Sequence, residues 1–157
     1  DNVIPARGKV AGAYANSALI KTDANRSGFD EALALDNNGH VSEGSAMNIF
    51  MVRDDVLITP PVTDNILEGI TRRSVIELAR NEMGLDVAER SIDRTEVFVA
   101  EEMFMTGTAA QIVSVTKIDH RPIGTGKMGP ITTKLRMLFD DIVRAKNPKY
   151  HKWNVEV

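Results

Sequence analysis

The chain has 157 residues, 43% of them hydrophobic and 26% charged, which is enough to bury one substantial core but not two ordinary domain cores. A net charge of −3 gives no basic stripe for nucleic acid, and the absence of cysteine excludes disulfides and thiolate chemistry. No apolar run approaches the ~20 residues of a membrane span, and the opening DNVIPARGK is not a signal segment. We therefore expect a cytoplasmic protein without a membrane partner. Because this opening lacks an initiator methionine, we also expect a piece of a longer polypeptide.

A helix is predicted over Tyr14–Arg26, because apolar residues recur there at helical spacing and Gly28 follows as a stop. The residues that share one side of this helix are Tyr14, Leu19, Ile20 and, less well, Ala24. A second helix is predicted over Ile70–Met83, with Gly84 where a C-cap glycine belongs. A third is predicted from about Ile131 to Lys146.

Two β-hairpins are predicted between the first two helices. Glu31–Asp36 alternates, Asn37-Asn38-Gly39 suits a tight turn, and His40–Ser42 forms the return strand. The second hairpin joins Asn48–Val52 to Val56–Thr59. Further strands are predicted over Val87–Ile92, Glu102–Met105 and Gln111–Ile118, with a short helical segment over Val97–Glu101. The expected fold class is α+β, or mixed α/β, built on antiparallel hairpins with packed helices.

A literal G-x-G-x-x-G occurs at Gly124–Gly129, but it lacks the strand before it and the strand with an acidic end after it that a dinucleotide site needs. We interpret it as a flexible loop. The three histidines, His40, His120 and His151, form no i, i+4 pair and have no nearby carboxylate arrangement that resembles a metal site, so we interpret them as ordinary polar residues. No metal site is predicted.

Four segments remain, and each has an ordinary explanation when taken alone. Lys9 is one of 19 basic residues, Glu43 ends a strand, Thr71 starts a helix, and MTGTAA at 105–110 is typical of a turn. Physical reasoning adds one point: the start of the helix at Ile70 offers free amide hydrogens and a favourable dipole for an anion such as phosphate.

In combination and in order, these segments resemble the large domain of fold-type IV pyridoxal phosphate (PLP) enzymes, from about Lys9 to the C-terminus. The motifs are K-x-x-G-x-Y at Lys9–Tyr14, the EALALD and SEGSAMNIF hairpins, L-x-G-I-T-R at 67–72 and F-M-T-G-T-A-A at 104–110. Within that family, K-x-x-G-x-Y is similar to the branched-chain amino acid aminotransferases. Met47 departs from members that carry a glutamate there. The resemblance also implies a barrel-like sheet at the core of this domain.

The resemblance implies a role for each matching residue. Lys9 would carry PLP as a Schiff base and shuttle the substrate proton, Glu43 would pair with the pyridine nitrogen, and Tyr14 would hydrogen-bond the phenolic oxygen. The remaining residues are implied to be Leu67 against the ring, Ile70, Thr71 and Thr108 at the phosphate, and Thr108 with Ala109 at the substrate carboxylate.

The implied activity is ping-pong transamination of leucine, isoleucine or valine with 2-oxoglutarate in a homodimer or higher homo-oligomer. The family also has a smaller N-terminal domain before the lysine, so residues 1–157 would be the PLP-binding large domain alone. Three alternatives stay open: a D-amino-acid or (R)-amine transaminase, an aminodeoxychorismate lyase of the same fold, and an inactive fragment that keeps only fold and interface.

Overall fold

Residues 4–155 are described here in a computed structural model of the chain. Its three α-helices are α1 (Tyr14–Arg26), α2 (Ile70–Met83) and α3 (Pro130–Val143). The strands are β1 (Leu33–Leu35), β2 (Val41–Gly44), β3 (Asn48–Arg53), β4 (Val56–Thr59), β5 (Asp86–Glu89), β6 (Glu102–Gly107), β7 (Gln111–Val115), β8 (Lys117–Ile118) and β9 (Arg121–Pro122). Short 3-10 helices occupy Ala6–Gly8, Ala11–Ala13, Glu96–Val99 and Pro148–Trp153.

A five-stranded sheet in the order β5-β4-β3-β6-β7 forms the centre of the fold. All neighbouring pairs are antiparallel except β4 and β5, which run parallel because α2 crosses over between them. The turn from β3 to β4 consists of Asp54 and Asp55, both with positive φ, as a two-residue hairpin requires. β1 and β2 pair antiparallel in a separate two-stranded sheet, so both predicted hairpins are confirmed.

The central strand β3 is buried on both faces, which explains its uninterrupted apolar run IFMV at residues 49–52. Phe50 and Val52 point to the face covered by α2 and α3, whereas Ile49 and Met51 point to the other face. Phe50 stacks on Phe104 of β6 with a ring-centroid distance of 5.0 Å. The alternation along one strand thus divides the core into two apolar clusters.

The helix predictions agree closely with the structure, except for the environment of α1. α1 and α2 have the predicted bounds, and Gly84 ends α2 with a φ of 64°. The predicted apolar side of α1 is not buried by the described residues, because only Ala24 is buried and Leu19 is 70% exposed. α3 ends at Val143, three residues before the predicted end.

Several strand bounds differ from the prediction. The predicted strand over 111–118 is split into β7 and β8, and β8 pairs with β9 in a separate hairpin. β5 ends at Glu89 rather than at residue 92. The mixed α/β architecture is confirmed, but the described strands form an open sheet and two small hairpins rather than a closed barrel. No helix among residues 4–155 is long and apolar enough to cross a membrane.

Candidate active site

A cavity of about 420 Å³ opens at one edge of the central sheet. Its wall combines the N-terminal segment, the end of β2, the loop before α2, the start of α2 and the turn between β6 and β7. Every residue to which the sequence assigns a site role lines it, namely Lys9, Tyr14, Glu43, Leu67, Ile70, Thr71, Thr108 and Ala109. Tertiary structure therefore brings together segments that are far apart in the sequence, while their individual roles remain predictions.

Lys9 lies at the end of the first 3-10 helix with φ 48° and ψ 40°, which is the left-handed region. A lysine adopts this conformation rarely, because its Cβ crowds the backbone there. Its side chain is exposed, so the cavity is open to solvent on this side. A strained backbone at a cavity wall is a feature that functional residues often share.

Glu43 is half-buried at the end of β2, and its carboxylate is held by two hydrogen bonds. The amide of Leu67 donates to Oε2 over 3.1 Å, and Nδ2 of Asn48 donates to the same oxygen over 3.3 Å. Burial raises the pKa of Glu43 above its usual 4.5, and the Leu67 amide only partly opposes that effect. Within residues 4–155, Oε1 has no hydrogen bond and stays available for a ligand that carries a positive charge.

The N-terminus of α2 opens into the same cavity without a side-chain cap. Its N-cap is Gly69, where a Cβ would lie 2.2 Å from Oδ1 of Asn48, so any larger residue would displace the Asn48 side chain. Thr71 is buried, whereas Ile70 is 72% exposed. Uncapped amide hydrogens at the start of a 14-residue helix favour an anion.

The turn between β6 and β7 forms the opposite wall. Thr108 and Ala109 are at the turn, next to the buried Thr106. Oγ1 of Thr106 is inaccessible and has no hydrogen-bond partner among residues 4–155. A buried hydroxyl without a partner is unusual, and here it belongs to a residue of the wall of a cavity that also offers free helix amides. The polar groups of this wall suit a phosphorylated ligand.

Sequence reasoning missed two features of this site. Asn48 donates to both Glu43 and the carbonyl oxygen of Leu67, the latter over 2.8 Å, and so fixes the carboxylate to the loop before α2. Arg7 forms an ion pair of 2.7 Å with Glu68, which ties the N-terminal segment to that loop. Asn48 belongs to the recognised NIF motif, but only the fold shows that its side chain turns toward Glu43.

The G-x-G-x-x-G segment lies away from this cavity, as a loop leading into α3. The carboxylate of Glu102 occupies the start of α3: it accepts hydrogen bonds from the amides of Ile131 and Thr132, over 2.9 and 2.8 Å. Because an anion of the protein itself already fills this helix N-terminus, the dinucleotide interpretation is rejected on physical grounds. At Gly129, a Cβ would lie 2.1 Å from Cδ of Glu102, which explains the last glycine of the motif.

For His40, the structure shows two nearby carboxylates that the sequence analysis did not recognise. Its Nδ1 lies 3.8 Å from Oδ2 of Asp36, and its Nε2 lies 3.4 Å from Oδ1 of Asp93. Asp36 is the i, i+4 partner of His40 in the same turn, and Asp93 reaches it through the tertiary fold. His120, in contrast, stacks on Phe29, and His151 contacts the carbonyl oxygen of Ala145.

The fold and the cavity agree with one class of protein. The model of the amino-transferase class IV family matches residues 3–118, and the chain belongs to that family. Among curated relatives, the chain is 51% identical over 153 residues to a probable branched-chain-amino-acid aminotransferase of Aquifex aeolicus. It is 44% identical over 152 residues to the branched-chain-amino-acid aminotransferase of Escherichia coli K12. These alignments cover 98% and 97% of the chain but only 49% of each relative, so the chain spans about half the length of the relatives it matches.

Solved structures give the same result. The T.th. branched-chain amino acid aminotransferase, complexed with N-(5'-phosphopyridoxyl)-L-glutamate, matches with a TM-score of 0.93 at 45% identity. The PLP-form of the enzyme from Thermobaculum terrenum matches with a TM-score of 0.95 at 43% identity. Each covers 97% of this chain, and the chain covers 51% and 50% of those two chains.

Proposed function

We propose that the protein to which this chain belongs transfers amino groups between branched-chain L-amino acids and 2-oxoglutarate, with PLP bound in the cavity described above. The observation that carries this proposal is that all eight predicted site residues line one cavity in a family member whose relatives are aminotransferases of this substrate class. PLP, when bound, supplies an electron-withdrawing ring that stabilises negative charge at the substrate Cα.

The residues of the cavity fit this cofactor. The uncapped start of α2, with Thr71, would hold the phosphate, and Thr108 would add a hydroxyl from the opposite wall. The free hydroxyl of Thr106 lies buried at the same wall. Leu67 would pack against the ring, and Tyr14 would hydrogen-bond its phenolic oxygen.

Glu43 and Lys9 supply the chemistry at opposite parts of the ring. Oε1 of Glu43 is free to accept a hydrogen bond from a protonated pyridine nitrogen, whose positive charge would offset the desolvation that raises the pKa of this carboxyl. Nζ of Lys9 would hold the cofactor covalently until the substrate amine displaces it, and the freed amine would then carry the proton from the substrate Cα to C4′ of the cofactor. Amides at Thr108 and Ala109 would orient the substrate carboxylate.

We also propose that the rest of a longer polypeptide completes the site, in line with relatives of twice this length. Tyr14 is 40% exposed and Ile70 72% exposed beside the cavity, so apolar surface there is left for other residues to cover. A smaller N-terminal domain and the second subunit of a homodimer would contribute those residues and the walls of the substrate pocket.

The decisive experiment compares Lys9→Ala with the control Lys117→Ala in the whole polypeptide. Wild-type protein and the control should show the visible absorbance of covalently bound PLP, and borohydride should fix the cofactor on the peptide that contains Lys9. Lys9→Ala should lose the covalent band and reduce transamination by several orders of magnitude. A borohydride adduct on another lysine would contradict the assignment.

Substrate class needs a separate test. The protein is mixed with L-leucine, L-isoleucine and L-valine, then with D-alanine and an (R)-amine, and conversion of the PLP band is followed. Conversion by the three L-amino acids supports the proposal, whereas conversion by D-alanine or the (R)-amine alone would assign the other transaminase group. The same assay on residues 1–157 alone shows whether this piece is active without the rest.

A further inference from the structure

Three side chains outside the cofactor cavity converge on one point of the surface. Asp36 and His40 come from the turn between β1 and β2, and Asp64 comes from the loop between β4 and α2. One ligand atom of each, namely a carboxylate oxygen of either aspartate and a ring nitrogen of the histidine, lies within 4.8 Å of the other two. None of the three lines the cavity that we assign to PLP.

Asp64 shows that this cluster is more than a group of surface acids. The residue is only 7% exposed, and its Oδ2 is inaccessible without a hydrogen-bond partner among residues 4–155. Its backbone is fixed independently, since Oγ of Ser42 donates to its carbonyl oxygen over 2.7 Å. A buried carboxylate oxygen without a donor carries a substantial desolvation penalty, which a bound cation would remove.

His40 is oriented as a metal-binding histidine is oriented. Its Nε2 lies 3.4 Å from Oδ1 of Asp93, so that in the tautomer with the proton on Nε2 the N–H group is directed to the side of this carboxylate. Nδ1 then keeps its lone pair on the side of Asp36, whose Oδ2 lies 3.8 Å away. A carboxylate behind the ring also makes the imidazole a stronger donor to a metal.

Asp36 is held in place by the turn in which it sits. Its Oδ1 accepts hydrogen bonds from the amides of Asn38 and His40, over 2.8 and 2.9 Å. Among residues 4–155, the one hydrogen bond to Oδ2 is a long contact of 3.4 Å from Nδ2 of Asn38, so this oxygen remains available to a cation. These bonds fix the carboxylate before any ion binds.

We propose that Asp36, His40 and Asp64 bind a divalent transition-metal ion of the Zn²⁺ class. A set of one imidazole nitrogen and two carboxylate oxygens suits such an ion, and the imidazole disfavours Mg²⁺ and Ca²⁺. Two carboxylates balance the charge of the ion. Ligand atoms around Zn²⁺ lie about 2.0–2.2 Å from the metal, so the three side chains would move inward by ~1 Å, with water completing the coordination.

The position of the cluster gives the ion a structural role. Asp36 and His40 lie in the turn that leads into β2 and Glu43, while Asp64 lies three residues before Leu67. An ion here would join the hairpin that carries Glu43 to the loop that leads into α2. It would stabilise the cofactor site from outside without touching the reacting atoms.

The test uses the whole protein with PLP bound. After metal is removed with EDTA, ZnCl₂ is titrated by calorimetry, and bound zinc is counted by elemental analysis. We expect one zinc per chain with a micromolar or lower Kd, together with a higher Tm. Asp64→Asn and His40→Gln should each weaken binding at least tenfold.

Two variants separate this site from other zinc ligands. His151→Gln removes an exposed histidine elsewhere and should leave the Kd unchanged. Lys9→Ala should also retain zinc. If the zinc were instead bound by the PLP that Lys9 holds, this variant would lose it. If Asp64→Asn fails to fold by circular dichroism, His40→Gln decides the outcome alone.

Three results would overturn the proposal: no zinc bound at millimolar concentration, equal affinity in wild type and His40→Gln, or loss of zinc in Lys9→Ala but not in the cluster variants. Preference for Mg²⁺ or Ca²⁺ over Zn²⁺ would overturn the assignment to transition metals. The aminotransferase proposal does not depend on any of these results, because its tests follow the covalent PLP band.

Discussion

Glu43 and Glu31 lie on neighbouring parts of the same hairpin, yet their carboxyl groups are shifted in opposite directions. Burial raises the pKa of Glu43, and the Leu67 amide does not compensate. For Glu31, burial also acts upward, but hydrogen bonds from Ser45, Ala32 and Lys21 outweigh it and lower the pKa. A carboxylate that receives enough hydrogen bonds from the protein stabilises the fold, whereas a carboxylate with too few donors can accept a hydrogen bond from a ligand.

The first prediction concerns Glu43→Gln. Since the pKa of Glu43 is raised in the folded state, its ionised form lowers stability, and this cost develops as pH rises from 4.5 through the folded pKa. The cofactor-free variant should therefore be at least as stable at pH 7 as the wild type in urea denaturation. PLP affinity should nevertheless fall at least tenfold, which corresponds to about 1.4 kcal/mol.

Glu31→Gln is the matched control with the opposite expectation. Because the pKa of Glu31 is lowered on folding, its stabilising effect is present above pH 4.5 and is lost as pH falls. The variant should be less stable at pH 7 and should bind PLP normally. If Glu43→Gln destabilised the cofactor-free protein as much as this control does, Glu43 would be a structural residue.

At the scale of elements, α2 and α3 differ in what lies at their N-termini. α3 begins at the buried carboxylate of Glu102, which also accepts a hydrogen bond of 2.6 Å from Oγ1 of Thr132. α2 has no side-chain cap and opens into the cavity. The N-terminus of α3 is thus bound by a carboxylate of the protein itself, whereas the N-terminus of α2 is open to an external anion.

Glu102→Gln should test this difference. The side-chain NH₂ of the glutamine would place a donor against the backbone amides of α3, which now donate to a carboxylate. The free energy of unfolding should therefore fall by ~2 kcal/mol. Urea denaturation measures the loss, with the exposed neighbour Glu101→Gln as the control, expected to lose less than half as much. PLP binding should persist in both variants, and its loss in Glu102→Gln alone would place the anion site at the wrong helix.

At the scale of the whole molecule, Glu96 ties the segment between β5 and β6 to a strand that is 43 residues away in sequence. Its carboxylate pairs with Arg53 at the end of β3 over 2.8 Å and with Arg90 after β5 over 2.6 Å. Hydrogen bonds from Arg90 and then Arg53 outweigh burial and lower the pKa of Glu96 to about 2. The segment between β5 and β6 is thereby anchored to β3 of the central sheet, and its first residue, Arg90, is held to Glu96 within the segment.

The pH dependence of stability should show the contribution of the ion pairs of Glu96. With a lowered folded pKa, Glu96 contributes stability that is fully present above pH 4.5 and is lost as pH falls toward about 2. Glu96→Gln should cost ~1 kcal/mol at pH 7, given the partial exposure of both arginines, and clearly less at pH 3. Asp55→Asn in the exposed β3–β4 turn is the control. A pH-independent loss in Glu96→Gln would mean that packing, not charge, is responsible.

Local patterns in the sequence were enough to place α1, α2 and both hairpins. Helical spacing followed by Gly84, and the Asn-Asn-Gly and Asp-Asp turns, act within a few residues, so they can be recognised without the fold. The members of the candidate site were also identified, but through resemblance of ordered motifs rather than through chemistry. Taken one at a time, Lys9 and Glu43 look like ordinary surface and strand-end residues.

What the sequence by itself determined was most of the elements, the family and a set of candidate residues that the fold brings to one cavity. Only the tertiary structure decided that the sheet stays open, that Glu102 closes α3, that Asn48 holds Glu43, and that Asp64 meets His40. The physical reason is distance along the chain. Glu102 and Thr132 are 30 residues apart, and Ser42 and Asp64 are 22 apart. Such contacts form when β3 pairs with β6 and α2 packs on the sheet, and neither event leaves a periodic signal in the residues it joins.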